Sequence, residues 1–177
     1  MRPPAAPALL SFMTDAHPLP HRAIVALGSN LRSPEGQVRG ALSALATLPG
    51  LRLTRCSPLY RTAPVGYLDQ PDFINGVVEV ETCLPPLALL QALQAVEQQH
   101  GRQRTVLDGP RTLDLDLIAY DELVLETPEL TLPHPRAHQR AFVLQPLADI
   151  RPDFVIPGQG PVRELLARCA EQGIALA

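Results

Sequence analysis

Gly109-Pro110-Arg111-Thr112-Leu113-Asp114-Leu115-Asp116-Leu117-Ile118 plants two carboxylates two residues apart in an otherwise aliphatic run. In a strand, residues i and i+2 share a face, so Asp114 and Asp116 project together while Leu113, Leu115 and Leu117 enter a core from the other side. Aspartate is a poor strand former, and breaches of local preference tend to fall at functional sites. Two neighbouring anions repel, and lose solvation where partly buried. A divalent cation removes both costs; Mg2+ is typically held by one or two carboxylates, with water and substrate phosphates completing its shell. Arg111, just ahead of the pair, offers a planar fork matched to phosphate oxygens. The tripeptide alone also arises as decoration of a solvated strand face, so the rest of the chain decides between the two readings.

Working outward, residues 22–27 read as a short apolar strand that Gly28-Ser29-Asn30 ends as a structural turn. A helix is expected from Ser33, with Pro34 at its first position and Glu35 in its first turn, carrying Val38, Ala41, Leu42, Leu45 and Leu48 at helical spacing. Residues 51–61 read as extended, 62–71 as a Pro/Gly-rich loop and 73–81 as an alternating strand. Pro85 and Pro86 open a second helix with Leu87, Leu90, Leu93 and Val96 on its apolar side, ending near Gly101. Residues 102–110 read as a mobile loop feeding the Asp-x-Asp strand. The order strand, helix, strand, strand, helix, strand predicts an α+β fold: a ferredoxin-like βαββαβ core whose antiparallel sheet carries its helices on one face. A C-terminal extension follows: a His/Pro/Arg loop over 131–140, partly helical residues 141–150 and a short helix over 162–170.

With 177 residues and 46% hydrophobic content, the chain suits one globular domain with a real core. Residues 1–20, with five prolines, are expected to be a disordered extension and residues 21–177 the single domain. A net charge of −3 argues against nucleic acid as a partner. All fifteen basic residues are arginines, which excludes a Walker phosphate loop and lysine Schiff-base chemistry. Three widely spaced cysteines fit neither a disulfide framework nor a CxxC metal pair. They read as reduced thiols of a cytoplasmic protein, and no apolar run reaches the ~20 residues of a membrane span.

Several separated segments now resemble one family. These are Ala26-Leu27-Gly28-Ser29-Asn30-Leu31, Tyr60-Arg61-Thr62, Gln70-Pro71-Asp72-Phe73-Ile74-Asn75, Glu97 with Gly101-Arg102, Gly109 through Asp116, and Pro133-His134-Pro135-Arg136 followed by Arg140-Ala141-Phe142. In this order they are similar to the 6-hydroxymethyl-7,8-dihydropterin pyrophosphokinases of the folate pathway, over about residues 24–166. The resemblance implies transfer of the β,γ-pyrophosphoryl group of ATP to the pterin hydroxymethyl oxygen, leaving AMP. Such a reaction asks for charge neutralisation and alignment rather than a protein nucleophile.

By that resemblance, Asp114 and Asp116 bind two Mg2+ ions with ATP as co-substrate, and Arg102 and Arg111 stabilise charge developing on the phosphates. It assigns Gln94, Glu97, Arg104, Leu117, Thr131, His134 and Arg140 to the nucleotide. The pterin is assigned to stacking by Phe73 and Phe142, with edge contacts from Thr62, Asn75 and the backbone near Ala63 and Val65. Taken alone, Phe73 and Phe142 read as core residues, Asn75 as a turn residue before Gly76, and His134 as part of a loop. Arg136 faces either phosphate or solvent. The partners implied are the two small substrates, with no membrane and a monomeric state. An Asp-x-Asp glycosyltransferase and a non-catalytic module are the competing readings, and Mg2+-dependent nucleotide binding separates the latter from a kinase.

Overall fold

Ala23-Ile24-Val25-Ala26-Leu27 is apolar at every position, the pattern of a strand covered on both faces. The computed structural model describes residues 19–101 and 107–177, and in it this run is the centre of β1 (His21–Ser29). Next come α1 (Pro34–Ala46), β2 (Leu51–Cys56), β3 (Tyr60–Thr62), β4 (Phe73–Thr82), α2 (Pro86–Gln99) and β5 (Asp114–Tyr120). Then follow β6 (Leu125–Glu126), β7 (Thr131–Leu132), a 3-10 turn (Ala137–Gln139), α3 (Ala141–Ile150), β8 (Val155–Ile156), β9 (Gly160–Pro161), α4 (Val162–Ala167) and β10 (Ile174–Leu176). The main sheet has the order β10-β3-β4-β1-β5, with β2 also on β4, and each pairing is antiparallel.

Alternation along β1 divides the core in two. Ala23, Val25 and Leu27 pack with Val38, Ala41 and Leu45 of α1 and Leu89, Leu93 and Val96 of α2. Ile24 and Ala26 point the other way, to Leu144, Leu147 and Ile150 of α3 and Val162 and Leu165 of α4. Each fully buried leucine contributes roughly 1.5–3 kcal/mol. The expectation of helices on one face therefore holds for α1 and α2, while the C-terminal extension forms a second layer on the opposite face. A register shift opposite Ile24 and Val25 sends both Ile118 and Ala119 of β5 into that second cluster.

Three local readings are corrected. The extended run 51–61 is two strands rather than one, interrupted at Ser57-Pro58-Leu59; proline lacks the N–H a ladder needs. Gly28 and Ser29 do not form a turn but are the last two residues of β1, paired with Asn75 and Ile74 of β4. On α2 the buried face is Leu89, Leu93, Val96 and Glu97, while Leu87 is 43% exposed. The proline pair sets the start of the helix but not its rotation.

Across the second layer, Glu79 of β4 is 4% exposed and accepts hydrogen bonds from Thr54 Oγ1 at 2.8 Å and from Arg151 Nε at the end of α3. Burial pushes its carboxyl up, but the bonds from Arg151 and Thr54 and the charges of Arg151 and Arg55 outweigh it, and the pKa lies below the usual value. Tyr60 of β3 donates its hydroxyl to Asp149 of α3, and burial with that bond pushes the phenol up to about 12. These two contacts pin α3 to β3 and β4. Among the described residues, no helix is long and apolar enough to cross a membrane.

Candidate active site

The site lies at the end of the sheet where β1 finishes and β5 begins, with Arg136, Arg140 and Phe142 of the C-terminal extension among its lining. At that end β5 begins with Asp114 and Asp116, both half-buried, with Leu113, Leu115 and Leu117 in the core behind them. Arg111 is held between two acids, with Asp114 as ion-pair partner and Asp108 at 3.7 Å. Its backbone is fixed by Asn30, which is 2% exposed. Asn30 Oδ1 accepts from Arg111 N at 2.8 Å, and Asn30 N donates to Arg111 O at 3.1 Å. Asn30 Nδ2 donates to Gln70 Oε1 at 2.9 Å and to Pro71 O at 3.0 Å, and Gln70 Nε2 donates to Asp108 O at 2.8 Å. One buried amide thus joins the approach to β5 to the loop between β3 and β4.

The cavity above this floor is lined by two chemical groups: Thr62, Ala63, Val65, Phe73, Asn75 and Phe142, and the charged residues Asp108, Arg111, Asp114, Asp116, Arg136 and Arg140. Asn75 Nδ2 donates to Thr62 Oγ1 at 2.6 Å, leaving its second N–H hydrogen and its carbonyl oxygen to face a ligand edge. The Arg140 guanidinium lies 5.4 Å from the Phe142 ring centroid, a cation–π contact between the charged and the aromatic lining. Gly28, opposite Asn75 and Asp114 in the sheet, forms the floor. A Cβ there would stand 2.8 Å from Asn75 Oδ1. Gly28→Ala is therefore expected to displace the Asn75 amide and weaken binding of a heterocycle about tenfold. A fluorescence titration reads that loss, and unchanged affinity would remove Gly28 from the site.

The remaining candidates are more dispersed. Glu97 of α2 is buried and accepts from Leu115 N, between the two aspartates, at 2.7 Å. Leu117 is 3% exposed and its side chain belongs to the core on the opposite face. Gln94 and Thr131 are exposed and, with His134, Glu97 and Leu117, do not line the cavity. Arg102 and Arg104, and most of the loop expected over 102–110, lie outside the described residues. The sequence reading did not include Gly28 or Asp108 among the site residues; the signal for Gly28 lay in its register opposite Asn75, which residue order does not reveal.

His134 hangs beside β5, its N–H donating to Ile118 O at 2.8 Å and its Nδ1 accepting from Arg136 N at 3.2 Å. Burial, then the charges of Arg140 and Arg136, lower its pKa from 6.5 to about 4. The ring is neutral at pH 7, as an accepting Nδ1 requires. A folded-state pKa below the unfolded value means that the unfolded chain binds the proton first, so stability falls as pH drops from 6.5 toward 4. Urea unfolding at pH 7 and pH 5 is expected to differ by about 1–2 kcal/mol more for the parent than for His134→Gln; equal slopes would mean that this ring titrates normally.

Paired carboxylates and arginines beside an aromatic pocket with an amide at its edge suit a nucleotide-dependent transferase acting on a flat heterocycle. The family model for 7,8-dihydro-6-hydroxymethylpterin-pyrophosphokinase (HPPK) matches residues 24–152. The chain is 50% identical over 153 residues to the 2-amino-4-hydroxy-6-hydroxymethyldihydropteridine pyrophosphokinase of Pseudomonas aeruginosa, covering 86% of this chain and 94% of that one. It is 42% identical over 149 residues to the enzyme of the same description from Haemophilus influenzae, covering 84% and 93%. The chain therefore belongs to the HPPK family. Among solved structures, wild-type Plasmodium falciparum HPPK-DHPS with pteroate shares the fold, with a TM-score of 0.67 at 14% identity over 84% of this chain and 42% of that longer one.

Proposed function

We propose that this chain transfers the β,γ-pyrophosphoryl group of ATP to the hydroxymethyl oxygen of 6-hydroxymethyl-7,8-dihydropterin, giving AMP and the pterin diphosphate in folate biosynthesis. One observation carries the residue assignment: a single cavity is lined by the acid–arginine group and by the Thr62, Asn75, Phe73 and Phe142 group, each suited to one substrate.

Asp114 and Asp116 are the proposed Mg2+ ligands. Their fit rests on the donor set: two carboxylates on one strand face, with no group of three or more acidic, histidine or cysteine side chains able to cage an ion among the described residues. That suits an ion that completes its shell with water and phosphate oxygens. When bound, Mg2+, expected as two ions with ATP, supplies neutralisation of the triphosphate and Lewis acidity toward the attacking hydroxyl.

The protein's own work is positioning. Phe73 and Phe142 face the pterin rings, Asn75 and Thr62 read the polar edge with the backbone near Ala63 and Val65, and Arg111 presents its fork to the phosphates. Arg140 and Arg136 add positive charge at the phosphate side, and Arg102 joins Arg111 in stabilising developing charge. Gln94, Glu97, Arg104, Leu117, Thr131 and His134 are assigned to the nucleotide side by family likeness. Glu97 also holds the backbone between the two aspartates. With β2 and β3 taken as two halves of one strand beside β4, the order β5-β1-β4-β2/β3 supports a ferredoxin-like description of the core. Residues 21–177 acting as one domain, a monomeric state, a cytoplasmic location and the absence of nucleic-acid or membrane partners complete the reading.

The test is an assay of AMP formation from ATP with Mg2+, with and without the pterin. Pterin-dependent AMP is expected. ADP would mean transfer of the γ-phosphoryl group instead, and no product from folded, saturated protein would favour a binding module.

A further inference from the structure

We propose that Gln172, in the C-terminal extension, is a positioning residue for the pterin pocket, acting through the backbone around Arg140 and Phe142. Helix α3 starts at Ala141, and its N-cap residue, Arg140, makes no side-chain capping bond. The first N–H groups of a helix have no partner within it. Here the Ala141 N–H donates to Gln172 Oε1 at 2.9 Å, and Gln172 Nε2 donates to Gln139 O at 2.8 Å. One carboxamide from 31 residues away therefore brackets Arg140, accepting from the residue after it and donating to the residue before it.

Arg140, inside the bracket, and Phe142, one residue past it, are both cavity side chains, in mutual cation–π contact. Gln172 is itself set by a turn, its N–H donating to Cys169 O at 3.0 Å. Two residues further on, Ile174 pairs with Thr62 and Leu176 with Tyr60. The stretch 172–176 thus fastens both the Arg140–Phe142 wall and the Thr62 wall of one pocket. It lies beyond residues 24–152, the part matched by the family model.

The inference rests on the assignment of Phe142 to the pterin, and its test separates the two. The probe is 6-hydroxymethyl-7,8-dihydropterin, titrated by fluorescence into the full chain with Mg2+ and a non-hydrolysable ATP analogue, with thermal unfolding run alongside. Gln172→Ala is expected to weaken pterin binding about fivefold to tenfold. Phe142→Ala should weaken it further, and the double variant should bind no worse than Phe142→Ala alone, because both act through one ring. Gln172→Glu, which keeps the acceptor for Ala141 N–H but sets a carboxylate oxygen against Gln139 O, should weaken pterin binding at least as much as Gln172→Ala. If Gln172→Ala does not fold, Gln172→Glu carries the same cycle. Normal pterin affinity in a Gln172 variant, with Phe142→Ala impaired, would reduce Gln172 to a helix cap and overturn the proposal alone. Additive losses in the double variant would overturn it too. Normal affinity in Phe142→Ala would overturn the pterin assignment and this proposal with it.

Discussion

Asp116→Ala is expected to lower kcat for AMP formation about a thousandfold while the protein stays folded, because its carboxylate serves the reaction and not the core. The side chain is half-buried at the cavity and belongs to neither hydrophobic cluster. Its strand is held instead by Leu115 and Leu117 behind it and by pairing with Ala26 of β1. Alanine is no worse a strand residue than aspartate, so thermal unfolding should move by only a few degrees. Removing Asp114 instead would take away the ion-pair partner of Arg111 and change the set of that guanidinium. Initial rates at saturating ATP, pterin and Mg2+ give the answer. Near-parental turnover would end the metal-ligand assignment.

The second large effect is expected at Asn75. Asn75→Leu keeps the branched four-atom skeleton, at some cost in bulk, but removes the polar edge of a residue that is 6% exposed. Two lost hydrogen bonds to a heterocycle, each worth about 1.4 kcal/mol, amount to roughly a hundredfold in pterin affinity. The Thr62 hydroxyl also loses its donor at 2.6 Å, which should lower stability by about 1–2 kcal/mol. ATP binding should change far less, since Asn75 is not among the residues proposed for the nucleotide. Pterin and ATP titrations of the same variant check both halves; equal losses for the two ligands would mean general disorder of the site.

Much of this was legible in the chain because its signals are local. The alternation of Leu113 to Leu117 placed the aspartates on one face, apolar patterning located β1, α1 and β4, and residues 141–150 read as helical only in part. The rotation of α2 was not legible, since Leu87, Leu89, Leu90 and Leu93 satisfy two overlapping helical faces and only packing against the sheet selects Leu89. The second helical layer was hidden for a related reason: which face of a sheet a helix covers depends on the path of the connection, not on the helix's own residues. Phe73 and Phe142 are far apart in sequence, and nothing in either neighbourhood states that they line one cavity. Gly28 read as a turn because glycine in a string of residues signals bending, whereas its purpose here is room for the Asn75 amide. The family resemblance supplied what local patterns could not.

The strand that bears the aspartates is also an edge strand of the main sheet. An outer strand with unpaired backbone groups is a template on which another chain can build, a recognised route to aggregation. Here the Glu97 carboxylate takes the Leu115 N–H, and the His134 N–H takes the Ile118 carbonyl. The rim is closed by a helix side chain at one point and a loop backbone at another, with two negative charges between and beside them. Glu97 and His134, proposed for the nucleotide side, therefore also occupy backbone groups along this border of the sheet that would otherwise be open to a second chain.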